Sequence, residues 1–414
     1  MSNKMKKGEK VNGKVLIVGI DIGKNSNTGY WRYPNGPESK VFSFCNNKSG
    51  YESLMLRIYA AGKIKNAEEV IVGFESTGSY CIPLAHYLQN QPIKLVQVNP
   101  MHTKRWKDVA DNSRTKSDKK DPKIIADLIE MKRYLSVIIP RGASAHLRHL
   151  MHARERLLTK KNMSMSQLHD LVFILFPEFL KVMNGLKSKS AFYLLGHYPL
   201  PDNLIELGFE ELYLLLKKIS RGKLDHTRAL ELIEVAKESI GIKEGIESII
   251  NEIKQFLREI RLYNETIQEI EEKISLFLKK IPYRDYLLSI KGIGELSVAG
   301  LIGEVGDFEA IRTQDALIKL AGLNLCENSS GKRKGRICIS KMGRALLRKI
   351  LFFMAINVVK EGRILHDYYQ KLIKKGKFKM KALVAVMRKL LKIIFALVRN
   401  KTYYQENTKI KLAA

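Results

Sequence analysis

The spacing of hydrophobic and polar positions changes character as the chain is followed from one end to the other. Over residues 15–140, short apolar runs alternate with helical spacing. Residues 15–20 form an apolar run of buried-strand length that ends on Asp21, and residues 69–74 form another that ends on Glu75. Residues 27–33 and 41–44 pair with the first run as a meander, and residues 95–98 give a further short strand. Residues 51–61 and 82–88 read as helices. Ile124, Ile125, Leu128, Ile129 and Met131 fall at helical spacing within 122–134. A layered α/β domain over residues 1–140 is expected.

Beyond residue 140 the strand signals fade. Residues 147–176 read as one long helix rich in Arg, Lys and Met, and 177–241 as a mixed helical segment punctuated by Gly and Pro. Then Ile246, Ile253, Ile260, Ile267 and Ile274 recur every seven residues, with Ile249, Phe256, Tyr263, Ile270 and Phe277 three residues after each. Such a/d heptads, with charged residues between them, predict a coiled coil. Its partner is either the 147–176 helix folded back or the same helix of a second subunit. Residues 141–280 thus form a long helical region with an inserted helical segment, and residues 281–414 a mainly α domain. In that domain Lys291-Gly292-Ile293-Gly294 separates two short apolar helices, the pattern of a helix-hairpin-helix. There Lys291 and the backbone N–H groups around Gly292 and Gly294 could grip a nucleic-acid phosphate. A plain corner between helices that needs glycine for its geometry fits the same residues.

Charge narrows the partner. The 414 residues hold 72 Lys and Arg against 42 Asp and Glu, a formal net charge of +30. That excess points to a polyanion, with nucleic acid the commonest one. The basic residues gather late: Lys332, Arg333, Lys334 and Arg336 in one loop, Arg344 and Arg348 on the next helix, and a basic tail over 371–399. All six are expected to bind nucleic acid. The four cysteines have no zinc-site spacing and read as isolated thiols in a reducing cytosol. The polar first 14 residues do not form a signal peptide, and the apolar stretch 382–398 is broken by Arg388, Lys389 and Lys392. A cytoplasmic protein of the prokaryotic cytosol or nucleoid, with no membrane partner, is expected. His146, His149 and His152 read as a titratable helix surface rather than a metal site, and Trp31 and Trp106 as core.

The chemistry is expected from acids. Asp21 and Glu75 end apolar strands, where α/β sheets place their ligands, and Asp118 and Asp121 precede a helix. Converging carboxylates repel each other unless a hard cation neutralises them, and oxygen-only ligands select Mg²⁺ or Mn²⁺. Taken alone, Asp121 before Pro122 would equally make a helix N-cap with proline at the first helical position.

"GIDIGK" at residues 19–24, "FESTGSY" at 74–80 and "TKSDKKDP" at 115–122 resemble the DEDD transposases of the insertion-sequence one-ten family. "SIKGIGELSVAGLIGEVGDF", "LAGLNLCENSSGKRKGRICISKMGRALLRKIL" and the "MKALVAVMRKLLKIIFALV" tail resemble that family's second domain. The resemblance implies a RuvC-like, ribonuclease-H-type N-terminal domain in which Asp21, Glu75, Asp118 and Asp121 bind divalent metal. It also implies a serine nucleophile, matched by Ser330 with Ser329 beside it, that forms a covalent phosphoserine link to DNA. Donor and target DNA duplexes, a structured bridge RNA as guide, and a homo-oligomer, dimer or tetramer, are the partners so implied. Pro122 stands where the family usually has alanine, Ser117 where it often has threonine, and Leu325 replaces a frequent proline. A RuvC-like nuclease using water, and an inert helix-hairpin-helix scaffold, are the competing readings.

Overall fold

The structure, a computed structural model, describes residues 13–75, 78–110, 120–137, 139–309, 311–326, 335 and 337–405. The expectations for Asp118, Ser329, Ser330, Lys332, Arg333, Lys334 and Arg336 lie outside the described residues. The chain forms two compact units, Met1–Ile139 and Pro140–Ala414.

The first unit is built on a mixed sheet. Its elements are β1 (Val15–Asp21), β2 (Ser26–Arg32), β3 (Phe42–Cys45), α1 (Lys48–Ile64), β4 (Glu69–Glu75), α2 (Cys81–Leu88), β5 (Lys94–Val98), α3 (Pro100–Ala110), α4 (Asp121–Glu130) and β6 (Tyr134–Ser136). The strand order is β3-β2-β1-β4-β5-β6. β1 runs parallel to β4 and β4 to β5, while β2, β3 and β6 are antiparallel to their neighbours. This mixed α/β sheet is consistent with the RuvC-like domain expected.

Because side chains alternate across a strand, β1 divides its apolar run between two cores. Leu16, Val18 and Ile20 pack with Leu54, Ile58 and Leu84 of α1 and α2. Val15 and Ile17 pack with Ile124, Ile125 and Ile129 of α4. Full burial of each such side chain stabilises the fold by about 1.5–3 kcal/mol. The helix expected over 122–134 stops at Glu130. Lys132 adopts a left-handed conformation (φ 55°), and Arg133 N–H donates back to Leu128 O at 2.8 Å. That capping turn releases Tyr134 into β6, and hydrophobic spacing does not register it. α3 is a helix the spacing did not predict. Asn99 caps it, its side chain accepting from Met101 N–H at 2.8 Å.

The second unit is helical. α5 (Gly142–Leu175) leads into five shorter helices: α6 (Pro177–Val182), α7 (Lys189–His197), α8 (Pro201–Leu207), α9 (Phe209–Ser220) and α10 (His226–Lys237). α11 (Ile246–Leu278) then returns along α5. After it come α12 (Arg284–Leu288), α13 (Glu295–Val305), α14 (Gln314–Leu320), β7 (Leu325–Cys326), β8 (Cys338–Ile339), α15 (Ala345–Val358), α16 (His366–Lys374) and α17 (Lys379–Asn400). α5 and α11 are antiparallel: His146 stacks on Phe277, Arg154 pairs with Glu271 at 2.7 Å, and Ser164 donates to Glu259 at 2.9 Å. Ile253, Ile260, Ile267 and Ile274 of the heptad series are buried. Of the two neighbours open to that series, α5 of the same chain fills the place.

Each end of this helical pair belongs to its own core. Leu168, Val172, Ile253 and Ile260 pack with α6 to α10. Leu147, Met151, Ile274 and Leu278 pack with the helices from α12 onward. Among the described residues, no helix is long and apolar enough to cross a membrane.

Candidate active site

Strand alternation decides where the acids point. Asp21 shares a face of β1 with Val15, Ile17 and Gly19, and Glu75 shares a face of β4 with Ile71 and Gly73. That face is the one α4 covers. Gly19 and Gly73 are directly paired, and the register runs on to Ile20 and Phe74, which brings Asp21 and Glu75 to the same end of adjacent strands. The helix comes close because these two positions lack side chains. A Cβ on Gly19 would lie 2.0 Å from the Pro122 carbonyl oxygen, and one on Gly73 would lie 2.5 Å from Ile129 Cδ1. The first turn of α4 is thereby lowered onto the sheet beside Asp21. Its first residue is Asp121, and Lys120 holds the cap position considered for that acid. A carboxylate at a helix N-terminus is favoured by the helix dipole.

Asp21 senses the other two carboxylates. Burial pushes the Asp21 carboxyl above its ordinary range, and the charges of Asp121 and then Glu75 push it further, with Lys107 opposing. α3 supplies the counterweights. Lys107 Nζ lies 2.6 Å from Asp121 Oδ1, and Thr103 Oγ1 lies 2.6 Å from Glu75 Oε2. Thr103 is buried and also lies 2.8 Å from the Pro100 carbonyl, so its single proton is shared between two acceptors. Thr103 and Lys107 are four residues apart, on one face of α3. Polar composition hid that helix, and with it both partners.

The donors suit a hard divalent ion in kind: all are oxygens, and they repel one another until neutralised. Thr28, directly opposite Asp21 on β2, adds a buried hydroxyl that has no hydrogen-bond partner among the described residues. Among the described residues no three acidic or imidazole groups close to coordinating distance. Lys107 and Thr103 hold two of the acids instead.

In the second unit β7 and β8 pair antiparallel, with Cys326 opposite Cys338. Ser329 and Ser330 fall between these strands in sequence. Arg348 ties the segment before β7 to the one after β8, donating to the carbonyls of Ala321 at 3.1 Å and Lys341 at 3.3 Å. Arg344 donates to the backbone carbonyl of Glu304. Both arginines, expected on nucleic acid, thus direct N–H groups to their own chain. Glu304 is the buried acid of α13, 3% exposed. Burial raises its carboxyl, but the hydrogen bond from His152 (2.7 Å) and the charges of Arg344 and Arg148 outweigh this and hold it below its ordinary value. Arg344 in turn is pushed down to about 10 by burial and by Arg148. A lone acid in the apolar "VAGLIGEV" segment was the signal for this cluster. His146 and His152 are engaged with Phe277 and Glu304, and Trp31 and Trp106 are each half-buried.

The Gly292 turn is present, with Gly292 at φ 98° and Gly294 capping α13. Lys291 and Gly294 are exposed. Glu295, next in the chain, already offers a carboxylate at that helix end and pairs with Arg284 at 2.6 Å.

Comparison with known proteins follows the same two segments. The family model for DEDD transposases of the IS110 type, described as "Transposase", matches residues 18–177. A second, described as "Transposase IS116/IS110/IS902 family", matches residues 284–370. An insertion element IS110 protein of Streptomyces coelicolor is 21% identical over 94% of this chain and 95% of its own length. A pilin gene-inverting protein of Moraxella lacunata is 26% identical over 92% and 95%. The transposase for insertion sequence element IS1111A of Coxiella burnetii is 27% identical over 45% and 51%. Membership of a DEDD family implies dependence on a divalent metal. With Asp21, Glu75 and Asp121 gathered at one sheet end and both family segments matched in order, the chain belongs to the IS110 family of transposases.

Proposed function

We propose that this transposase moves a mobile element by cutting and rejoining DNA strands through a covalent phosphoserine formed on Ser330. The observation that supports this most is that Asp21 and Glu75 end adjacent strands on one face, beside Asp121 at the first residue of α4, with Asp118 three residues before Asp121 in sequence. Asp21, Glu75, Asp118 and Asp121 would hold Mg²⁺ or Mn²⁺. Such an ion, when bound, neutralises charge on phosphate and helps activate an attacking oxygen. Ser330 Oγ gives up its proton and bonds to phosphorus as one bridging P–O bond breaks. The released sugar oxygen takes up a proton. Attack by the sugar hydroxyl of another strand reverses the step, rejoins DNA and regenerates the serine.

Donor and target duplexes are held by their backbones, through Lys332, Arg333, Lys334 and Arg336 and by the Lys291–Gly294 turn acting as a helix-hairpin-helix. A structured bridge RNA reads sequence by base pairing, which a charge of +30 accommodates alongside DNA. The enzyme works as a homo-oligomer, dimer or tetramer. Leu262 and Leu276, two heptads apart, remain exposed on α11 and suit a further helical neighbour.

The test is a protein–DNA adduct that survives denaturation. Ser330→Ala should abolish both adduct and recombination while DNA binding persists, and Ser329→Ala should be much milder. If both serines tolerate alanine while DNA is still cut, water is the nucleophile and the nuclease reading replaces this one.

A further inference from the structure

The turn between α16 and α17 combines a hydrogen-bonded backbone with an exposed aromatic residue. α16 ends in a capping motif: Gly376 adopts φ 77°, Gly376 N–H donates to Ile373 O at 2.8 Å, and Lys377 N–H donates to Leu372 O at 3.1 Å. Phe378 follows at once as the cap residue of α17, its carbonyl accepting from Ala382 N–H at 3.0 Å. The backbone on both sides of Phe378 is therefore fixed. Yet the residue is 75% exposed, an unusual position for a phenylalanine held so firmly.

Its surroundings are cationic without relief. Lys371, Lys374, Lys375, Lys377, Lys379 and Lys381 surround the turn in sequence, and no Asp or Glu occurs between Asp367 and Glu406. Every residue from 374 to 381 is exposed, and among the described residues none of the six lysines is in an ion pair. Lys381 Nζ lies 5.7 Å from the Phe378 ring centroid. Further along, Lys389 Nζ lies 4.1 Å from the Tyr368 ring. Burial, and then repulsion from Lys371, disfavour the Lys389 charge. A surface that holds like charges together with no anion of its own is complemented by an external polyanion.

We infer that Phe378 is a stacking platform for an unpaired nucleobase, with the lysines of the α16–α17 turn gripping the flanking phosphates. A flat exposed ring on a fixed backbone loses little freedom on binding, and stacking is available to any base because every base has a π face. A duplex keeps its bases stacked on each other, so the site selects single-stranded segments of RNA or DNA. This rests on the DNA-acting reading above and adds to it a contact for unpaired strands.

Fluorescence anisotropy with labelled oligouridylate, oligothymidylate and a hairpin duplex tests it. Phe378→Ala should weaken single-strand binding about tenfold, leave the duplex within about twofold and keep the salt slope. Phe378→Trp should restore the loss. Lys377→Ala with Lys379→Ala should instead lower the single-strand salt slope by about 1.4. The melting temperature of each variant checks that the fold is intact. A loss confined to oligouridylate identifies RNA as the source of the base, a loss confined to oligothymidylate identifies DNA, and either supports the site. Equal loss on duplex and single strand, or no loss, overturns it. So does Phe378-dependent binding to anionic phospholipid vesicles with strand affinity unmoved. If the unaltered protein binds no nucleic acid at all, the DNA-acting reading itself fails.

Discussion

Lys107 Nζ lies 2.6 Å from Asp121 Oδ1, so one acid of the site is already matched by a cation from the protein itself. A divalent ion that takes Asp121 as ligand must displace that ammonium. The pair is part-exposed, and such pairs contribute about 0–1 kcal/mol. Lys107→Met should therefore tighten Mn²⁺ binding by up to about fivefold in titration calorimetry. An unchanged or weaker affinity would show that Lys107 does not compete for the site.

Burial first, and then the charges of Asp121 and Glu75, push the Asp21 carboxyl above its ordinary range. The fold favours its protonated form, so its contribution to stability falls as pH rises from the ordinary carboxylate range through its raised value. At neutral pH the charge is a standing strain on the metal-free protein. Asp21→Asn should raise the melting temperature in chelator while reducing recombination to background. A lower melting temperature would mean that burial and the neighbouring acids do not disfavour the Asp21 charge.

Glu304 behaves in the opposite sense. Its carboxyl is held low, so its stabilisation is complete above the ordinary carboxylate range and is lost as pH falls through the depressed value. Glu304→Gln leaves Arg344 and Arg148 without their buried carboxylate and should cost about 3 kcal/mol at neutral pH, measured by denaturant unfolding. The deficit should shrink in acid. A loss independent of pH would mean that shape, not charge, is what Glu304 provides.

Cys326 and Cys338 face each other across the β7–β8 ladder, and both thiols are free and exposed. Cross-strand pairs place Cα atoms about 4.5–5.5 Å apart, within the range a disulfide spans. Treatment with hydroperoxide should convert the two thiols to an intramolecular disulfide, the peroxide being reduced to water and alcohol. The mass should fall by about 2 Da, and closing a short loop should add about 3 kcal/mol of stability. Only intermolecular or mixed products would show that the thiols do not meet.

Ile260 and Ile267 are buried within one chain. Replacing both with Asp puts unpaired charge against α5 and should cost several kcal/mol, seen as lost helical ellipticity and a lower melting temperature. Unchanged melting would mean that α5 and α11 do not pair through this face.

The strands and the two strand-end acids were legible because buried parallel strands are uninterrupted apolar runs, and an acid ending one is conspicuous. The heptads were legible for a similar reason, since burial of Ile253 through Ile274 repeats at a fixed period. What brings the acids together was not. Gly19 and Gly73 act by what they lack, and glycine in an apolar run reads as a weak strand residue until the helix above it is seen. Thr103 and Lys107 lie on a helix whose polar composition resembles a loop. Arg344 has the same spacing from its neighbours whether it meets solvent or the Glu304 carbonyl, so the sequence, which assigns it to nucleic acid, does not show that contact.

The α5–α11 pair also has a metrical consequence. At about 1.5 Å per residue the 34 residues of α5 span roughly 50 Å, and its two ends are embedded in different cores. Each residue along the pair advances the helix by about 100°. Adding or deleting one residue between Leu158 and Leu168 would not merely lengthen the rod; it would turn one core about the axis relative to the other. Only changes of about seven residues, matched in both helices, restore the phase. The pair is therefore a ruler graduated in heptads, and relatives whose spacing differs here should differ by whole graduations.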